Sequence, residues 1–328
     1  MLNKEAYLSA KIFADDIEQK ATRDGFGTGV VEAGTTDARV VVLSADLKES
    51  TRAEVFEKAF PDRFVEMGVA EQNMATVAAG MALANKIPFI TSYAAFNPGR
   101  NYEQIRTTIA LNHAAVKICG MHAGVSVGPD GATHQMLEDI GLMRMLPGMT
   151  VIVPGDATEA HKAVIAAAKT DGPVYIRFGR SATPVFTTPE TPFTIGKALR
   201  LFDPINPEVA LLSTGALSYN ALLAAQMLHE QGVGAIVLHI PTVKPLDTEA
   251  VLEVAKQVPA VVTIEEHQAH GGFGSAIAEC LAQSHPLPMR ILGVQDQFGQ
   301  SGTPEELLRH YELDSESIVK AAKSLLAL

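Results

Sequence analysis

Glu71-Gln72-Asn73-Met74-Ala75-Thr76-Val77-Ala78-Ala79-Gly80-Met81-Ala82-Leu83-Ala84, with Pro88-Phe89-Ile90-Thr91-Ser92-Tyr93 close behind it, decides the fold. In the first stretch Met74, Val77, Ala78, Met81 and Ala82 recur at i, i+3, i+4, i+7 and i+8, the apolar stripe of a helix. The second is short and almost continuously apolar, as a strand covered on both faces must be. The same rhythm extends outward from this pair. Val40 to Leu43 reads as a strand upstream; Tyr102 to Leu111 (helix), Val116 to Cys119 (strand), His134 to Met145 (helix), Thr150 to Val153 (strand), Thr158 to Lys169 (helix) and Val174 to Arg177 (strand) follow. Strands alternating with helices predict an α/β fold with a mostly parallel sheet, whose carboxyl ends gather ligands.

Between Ser181 and Pro207 the periodicity lapses into Thr183-Pro184, Thr188-Pro189, Thr191-Pro192 and Pro204-Ile205-Asn206-Pro207, where proline removes backbone donors and disfavours a preceding helix. A second α/β set follows: Val209 to Ser213, Ala235 to His239, Ala260 to Glu265 and Met289 to Val294 as strands, with Ser218 to Gln231, Asp247 to Gln257, Gly274 to Ala282 and two closing segments as helices. The expectation is two domains, 1–185 and 208–328, joined by a linker at 186–207, each with a mostly parallel sheet covered by helices. A length of 328 residues suits two cores.

Composition narrows the function classes. A net charge of −11 without a basic block disfavours a nucleic-acid partner, and no apolar run is long enough for a membrane span. Cys119 and Cys280 have no paired spacing, so both read as buried thiols in a reducing compartment, and Met1-Leu2-Asn3-Lys4-Glu5 lacks the apolar core of a secretory signal. The expected location is the cytoplasm.

Chemistry-bearing residues collect at the segment ends. Glu71, at the mouth of its apolar helix after Gly68-Val69-Ala70, faces partial desolvation, which favours a proton-donating carboxyl; taken alone, an acid placed on a helix dipole is its plainer reading. The loop Gly128-Pro129-Asp130-Gly131-Ala132-Thr133-His134-Gln135 offers Asp130 and His134, although a turn aspartate and a solvated histidine are the plainer readings of each. Arg23, Ser50, His122 and Arg180 flank elements at the same expected edge, and arginine forks suit phosphate oxygens. Gly271-Gly272-Phe273-Gly274-Ser275 before a helix could cradle an anion, but it lacks the spacing of a dinucleotide loop and reads better as a close-packed turn. No H-E-x-x-H or cysteine cluster is present, and no metal ligand set is expected on this chain.

Together these motifs resemble the C-terminal half of transketolase, its pyrimidine-binding domain followed by its C-terminal domain. Gly68-Val69-Ala70-Glu71 matches the family's Gly-Val-x-Glu element, Gly128 to Gln135 its Gly-x-Asp-Gly-x-Thr-His-Gln element, and Ser44-Ala45-Asp46-Leu47, Thr91-Ser92-Tyr93-Ala94-Ala95-Phe96 and Pro241-Thr242-Val243-Lys244-Pro245-Leu246-Asp247 align as well. The resemblance implies a thiamine diphosphate enzyme that transfers a two-carbon ketol unit from a ketose phosphate to an aldose. Glu71 would hydrogen-bond the cofactor's aminopyrimidine and promote its imino form. Tyr93, standing where phenylalanine is usual, would stack on that ring with Phe96 beside it, and Asp46 and Leu47 would lie against the cofactor. Arg23, Ser50, His122 and Arg180 match the family's terminal-phosphate positions, and Asp130 and His134 those that touch substrate hydroxyls, with His134 counted among the catalytic groups.

The family's Gly-Asp-Gly motif with a downstream asparagine, which binds Mg2+ and the diphosphate, is absent from the sequence. The resemblance therefore implies the C-terminal-half subunit of a split, two-subunit transketolase, inactive alone, with Mg2+ held mainly by an N-terminal partner chain in an α2β2 heterotetramer. Three alternatives stay open. 1-Deoxyxylulose 5-phosphate synthase shares the Ala-Glu-Gln helix but has arginine where His122 stands. The beta-type chain of a 2-oxoacid dehydrogenase lacks the Asp-Gly-x-Thr-His-Gln loop. A non-catalytic regulatory subunit would not need the full polar set.

Overall fold

The computed structural model describes residues 1–327 and contains two domains, each built on a mostly parallel sheet flanked by helices. The first sheet has seven strands, in the order Thr242–Lys244, Thr150–Ile152, Val174–Arg177, Lys117–Met121, Ile87–Tyr93, Val40–Ser44 and Phe64–Glu66. All neighbours in it pair parallel except Thr242–Lys244, which runs antiparallel to Thr150–Ile152. Residues Val40 to Ser44 are buried throughout: Val40 and Val42 join the core beneath helices Thr22–Thr36 and Ala157–Ala168, while Val41 and Leu43 join the opposite core under helix Glu71–Leu83. A strand covered on both faces has no polar side to present, which is why these segments read as unbroken apolar runs.

The second sheet has five strands, in the order Met289–Val294, Val261–Gln268, Val209–Ser213, Ala235–His239 and Leu199–Phe202, the last of them antiparallel. Leu199–Phe202 lies inside the stretch 186–207 read as a linker: between Pro192 and Pro204 the chain joins the sheet edge and buries Leu201 and Phe202. The strand Thr242–Lys244 returns to the first sheet, so the sheets are stitched together rather than strung in series, and one apolar cluster extends from Met74 and Ile90 to Leu212, Ile236 and Val251.

Three sequence expectations change. The helix expected over His134 to Met145 is confined to Asp139–Arg144, because Met136 forms a bridge with Ala123 and Gln135 ties the loop down. Tyr102 to Leu111 is one short α-turn, Tyr102–Gln104, followed by a π-helix, Ile105–Ala110. Helix Thr22–Thr36, which the sequence pattern does not predict, packs on Ala157–Ala168 so closely that a Cβ at Gly25 would come within 2.1 Å of the Ala157 carbonyl and one at Gly29 within 2.9 Å of that of His161. Of the two thiols, Cys119 is buried and Cys280 half-buried. The carboxylate of Glu265 occupies the turn considered as an anion cradle, accepting from the N–H groups of Phe273 at 2.6 Å and Gly274 at 2.7 Å.

Candidate active site

Parallel strands bring their carboxyl ends to one edge, so the loops after Ser44, Tyr93, Met121 and Arg177 emerge side by side. Helix Thr22–Thr36 runs back into Val40–Ser44, which puts Arg23 at that edge too.

Glu71 is the first residue of its helix and 2% exposed. Its carboxylate receives Nη1 of Arg100 at 2.7 Å, and its backbone carbonyl receives Nδ2 of Asn101 at 3.1 Å. Asn101 in turn donates to Asn97 Oδ1 at 3.0 Å, and Asn97 donates to the Ile90 and Cys119 carbonyls, so a buried asparagine pair ties the helix mouth to two strands. Glu66 braces the other side: one oxygen accepts from Asp46 N–H at 2.8 Å and Gly68 N–H at 3.0 Å. Asp46 has φ +61° and Leu47 opens the short helix Lys48–Thr51; neither side chain is hydrogen-bonded to Glu71 or Tyr93 among the described residues.

Beside Glu71 lies an aromatic group. Tyr93 stacks on Phe96, ring centroids 6.0 Å apart, and on His122 at 4.2 Å, while His134 stands edge-on to Tyr93 at 6.0 Å and to Phe96 at 5.6 Å. Thr133 Oγ1 lies 2.8 Å from His134 Nδ1.

The basic residues meet at the far side of Tyr93. Nη1 of Arg23 donates to the Ser50 carbonyl and to His122 Nε2, each at 2.9 Å. A guanidinium can only donate, so Nε2 accepts and the His122 proton sits on Nδ1, a buried donor without a partner among the described residues. Arg180 donates to the Val127 carbonyl at 2.8 Å and lies 3.6 Å from Asp130. Desolvation, then Arg23 and Arg180, push the His122 imidazolium down to about 3, so the ring is neutral at physiological pH. As pH falls from about 6.5 toward 3, the unfolded chain takes up a proton that the fold refuses, and stability declines. His122→Gln is expected to flatten the stability–pH curve in that window by up to about 1.4 kcal/mol per pH unit; stabilities from urea unfolding that fall with pH at the same slope in the two proteins would refute a neutral His122.

The loop carrying Asp130 and His134 is held from the second domain. Gln135 Nε2 donates to the Val125, Gly128 and Gln300 carbonyls, and the carboxylate of Glu266 accepts from Ser126 N–H. Burial pushes the Glu266 carboxyl up. Gly124, at φ +90°, has no room for a Cβ, which would meet that carboxylate at 2.4 Å. Neither Glu266 nor Arg100 is marked out in the sequence, since each lies far along the chain, or across a turn, from the group it contacts. Arg23, Ser50, His122, Asp130, His134 and Arg180, with Tyr93, Phe96 and Glu71, do come to one edge. Among the described residues no three His, Cys, Asp or Glu are grouped as a metal site, and no helix is long and apolar enough to cross a membrane.

Comparison with known proteins agrees with this geometry. The transketolase pyrimidine binding domain matches residues 18–185 and the transketolase C-terminal domain residues 196–318. A protein of Methanocaldococcus jannaschii described as a transketolase C-terminal section is 42% identical over 92% of this chain and 95% of its own length. A 6-deoxy-6-sulfo-D-fructose transketolase subunit of a Clostridium species is 40% identical over 94% and 96%. The solved structure of a split-gene transketolase, an inactive beta4 tetramer, superposes with a TM-score of 0.87 at 43% identity, covering 94% of this chain and 99% of that one. The chain belongs to the transketolase family and carries its pyrimidine-binding and C-terminal domains, as the C-terminal sections of split transketolases do.

Proposed function

We propose that this chain is the pyrimidine-side subunit of a thiamine diphosphate-dependent transketolase that moves a two-carbon ketol unit from a ketose phosphate to an aldose or aldose phosphate. The observation that carries the reading is the buried Glu71 carboxylate beside the Tyr93–Phe96 ring face, with Arg23, His122 and Arg180 on the other side of Tyr93. A flat aromatic wall ending in a buried acid fits an aminopyrimidine, and an unpartnered buried His122 Nδ1–H fits an anion's oxygen. Thiamine diphosphate, when bound, supplies the electron sink for carbon–carbon cleavage.

In this reading Glu71 holds the proton exchanged with the pyrimidine ring nitrogen, and its burial keeps water from competing for it. Tyr93 and Phe96 orient the ring, while Asp46 and Leu47 line the neighbouring loop. His134 and Asp130 bind sugar hydroxyls, and His134 also serves proton movement at the reacting oxygen. Arg23, Ser50, His122 and Arg180 hold the terminal phosphate. The diphosphate and Mg2+ fall to a separate N-terminal chain, in an α2β2 assembly in the cytoplasm; exposed Val69 beside Glu71 is an apolar surface such a chain would cover.

The test is reconstitution with that partner and assay on a ketose phosphate and on pyruvate. Ketol transfer is expected, and activity on pyruvate alone would overturn the reading in favour of a 2-oxoacid dehydrogenase chain. Within the active pair, Arg23→Ala and Arg180→Ala should each raise KM for a phosphorylated donor by about 10- to 100-fold, the worth of a charge-assisted hydrogen bond. Unphosphorylated acceptors should be almost unaffected. An equal rise for both sugars would remove the basic residues from phosphate binding.

A further inference from the structure

Among the described residues, Arg100 is the one side chain hydrogen-bonded to the Glu71 carboxylate. We propose that Arg100 is a placeholder: its guanidinium makes the two contacts that an aminopyrimidine would take over, so cofactor binding must displace it. The inference rests on the transketolase reading of Glu71.

The first contact is with the acid, Nη1 lying 2.7 Å from Glu71 Oε2. The second is with the ring wall, the guanidinium carbon lying 4.4 Å from the centroid of Phe96. A guanidinium is flat, donates hydrogen bonds along its edge and stacks on aromatic faces. An aminopyrimidine has the same three properties. One carboxylate edge and one aromatic face thus have two candidate occupants of similar shape.

The partners differ in freedom, and the difference decides which of them moves. Glu71 is 2% exposed at its side chain, is part of a helix and is tied through its carbonyl to Asn101; Arg100 is 45% exposed, on a long stem after the turn at Pro98 and Gly99. The acid stays and the base can swing into solvent. A buried carboxylate without a partner is costly, and Arg100 supplies that partner while the ring is absent. The cost is competition. An ion pair with a half-exposed member is weak, so displacing it should reduce the apparent affinity for the cofactor only about two- to fivefold.

Calorimetric titration of thiamine diphosphate with Mg2+ into the reconstituted two-chain complex tests this. R100A is expected to lower Kd about two- to fivefold relative to wild type, and R100K, which keeps the charge but loses the stacking plane, to fall between them. Thermal unfolding of R100A should begin lower without cofactor and rise more with it, since Glu71 is then left unpaired until the ring arrives. A Kd that is unchanged or higher in R100A, with the wild-type complex binding normally, overturns the placeholder and leaves the transketolase reading intact. Failure of the wild-type complex to bind thiamine diphosphate overturns both.

Discussion

Glu71→Ala in the assembled two-chain enzyme is expected to reduce turnover by about 100- to 10,000-fold, the range that a positioned proton-transfer group contributes. The loss should appear in kcat, with KM for the sugar phosphate little changed, because the basic residues lie beyond Tyr93 and do not touch Glu71. Folding should survive. The substitution leaves the backbone carbonyl that Asn101 holds, and it frees only Arg100, whose half-exposed guanidinium can turn to water. Size-exclusion and circular dichroism checks of the variant complex, alongside stopped-time assays, separate loss of chemistry from loss of assembly. Glu71→Gln, which keeps shape but cannot give up a proton as a carboxyl does, should be nearly as impaired. Turnover close to that of wild type in Glu71→Ala would make the residue structural and favour the regulatory alternative.

The legibility of this fold follows from where its physics is local. Helix Glu71–Leu83 and strands Val40–Ser44 and Ile87–Tyr93 are visible because each buries its own periodic apolar set, and the loops after them are visible because strand ends carry glycine and polar residues. Helix Thr22–Thr36 is hidden by Gly25, Gly27, Gly29 and Gly34, which lower helix propensity. At Gly25 and Gly29 that is the cost of letting two helix backbones approach, a reason that lies in Ala157 and His161, far along the chain. The π-helix Ile105–Ala110 has no distinct periodic signature, and it follows the Asn97 and Asn101 pair that holds the Glu71 helix mouth. Site residues set on strand ends are thus within reach of the sequence. Their supports are not: Arg100 comes from a turn that looks like any Pro-Gly turn, and Glu266 reaches Ser126 from the other domain.

Arg177→Met should carry the largest loss of stability. The residue stands at the end of its strand and is 7% exposed. Its Nε donates to Asp139 at 2.8 Å, and its Nη2 donates to the carbonyls of Glu266 at 2.8 Å and Met136 at 3.3 Å, so one guanidinium joins the site loop, the first domain and the second. Tyr175 completes the group, its hydroxyl donating to Asp139 at 2.7 Å. Breaking a buried pair from one side strands the other charge: Arg177→Met should destabilise the protein by about 3–5 kcal/mol, because Asp139, fully buried, keeps only the tyrosine. Removing both partners is a different matter. In the double variant Arg177→Met with Asp139→Leu, the Asp139 charge is no longer stranded, and part of the loss should be recovered although a second residue has been changed; Glu266, which also faces Arg177, still loses its neighbouring cation. Because the Glu266 carbonyl loses its bond to the first domain and only the Glu266 carboxylate's contact with Ser126 N–H remains there, the Arg177→Met transition in urea should also broaden or split, one domain opening before the other. A single sharp transition displaced by less than about 1 kcal/mol would show that this guanidinium is dispensable and that the interdomain apolar cluster, with the Glu266 and Gln135 contacts, holds the loop carrying Asp130 and His134 in place without it.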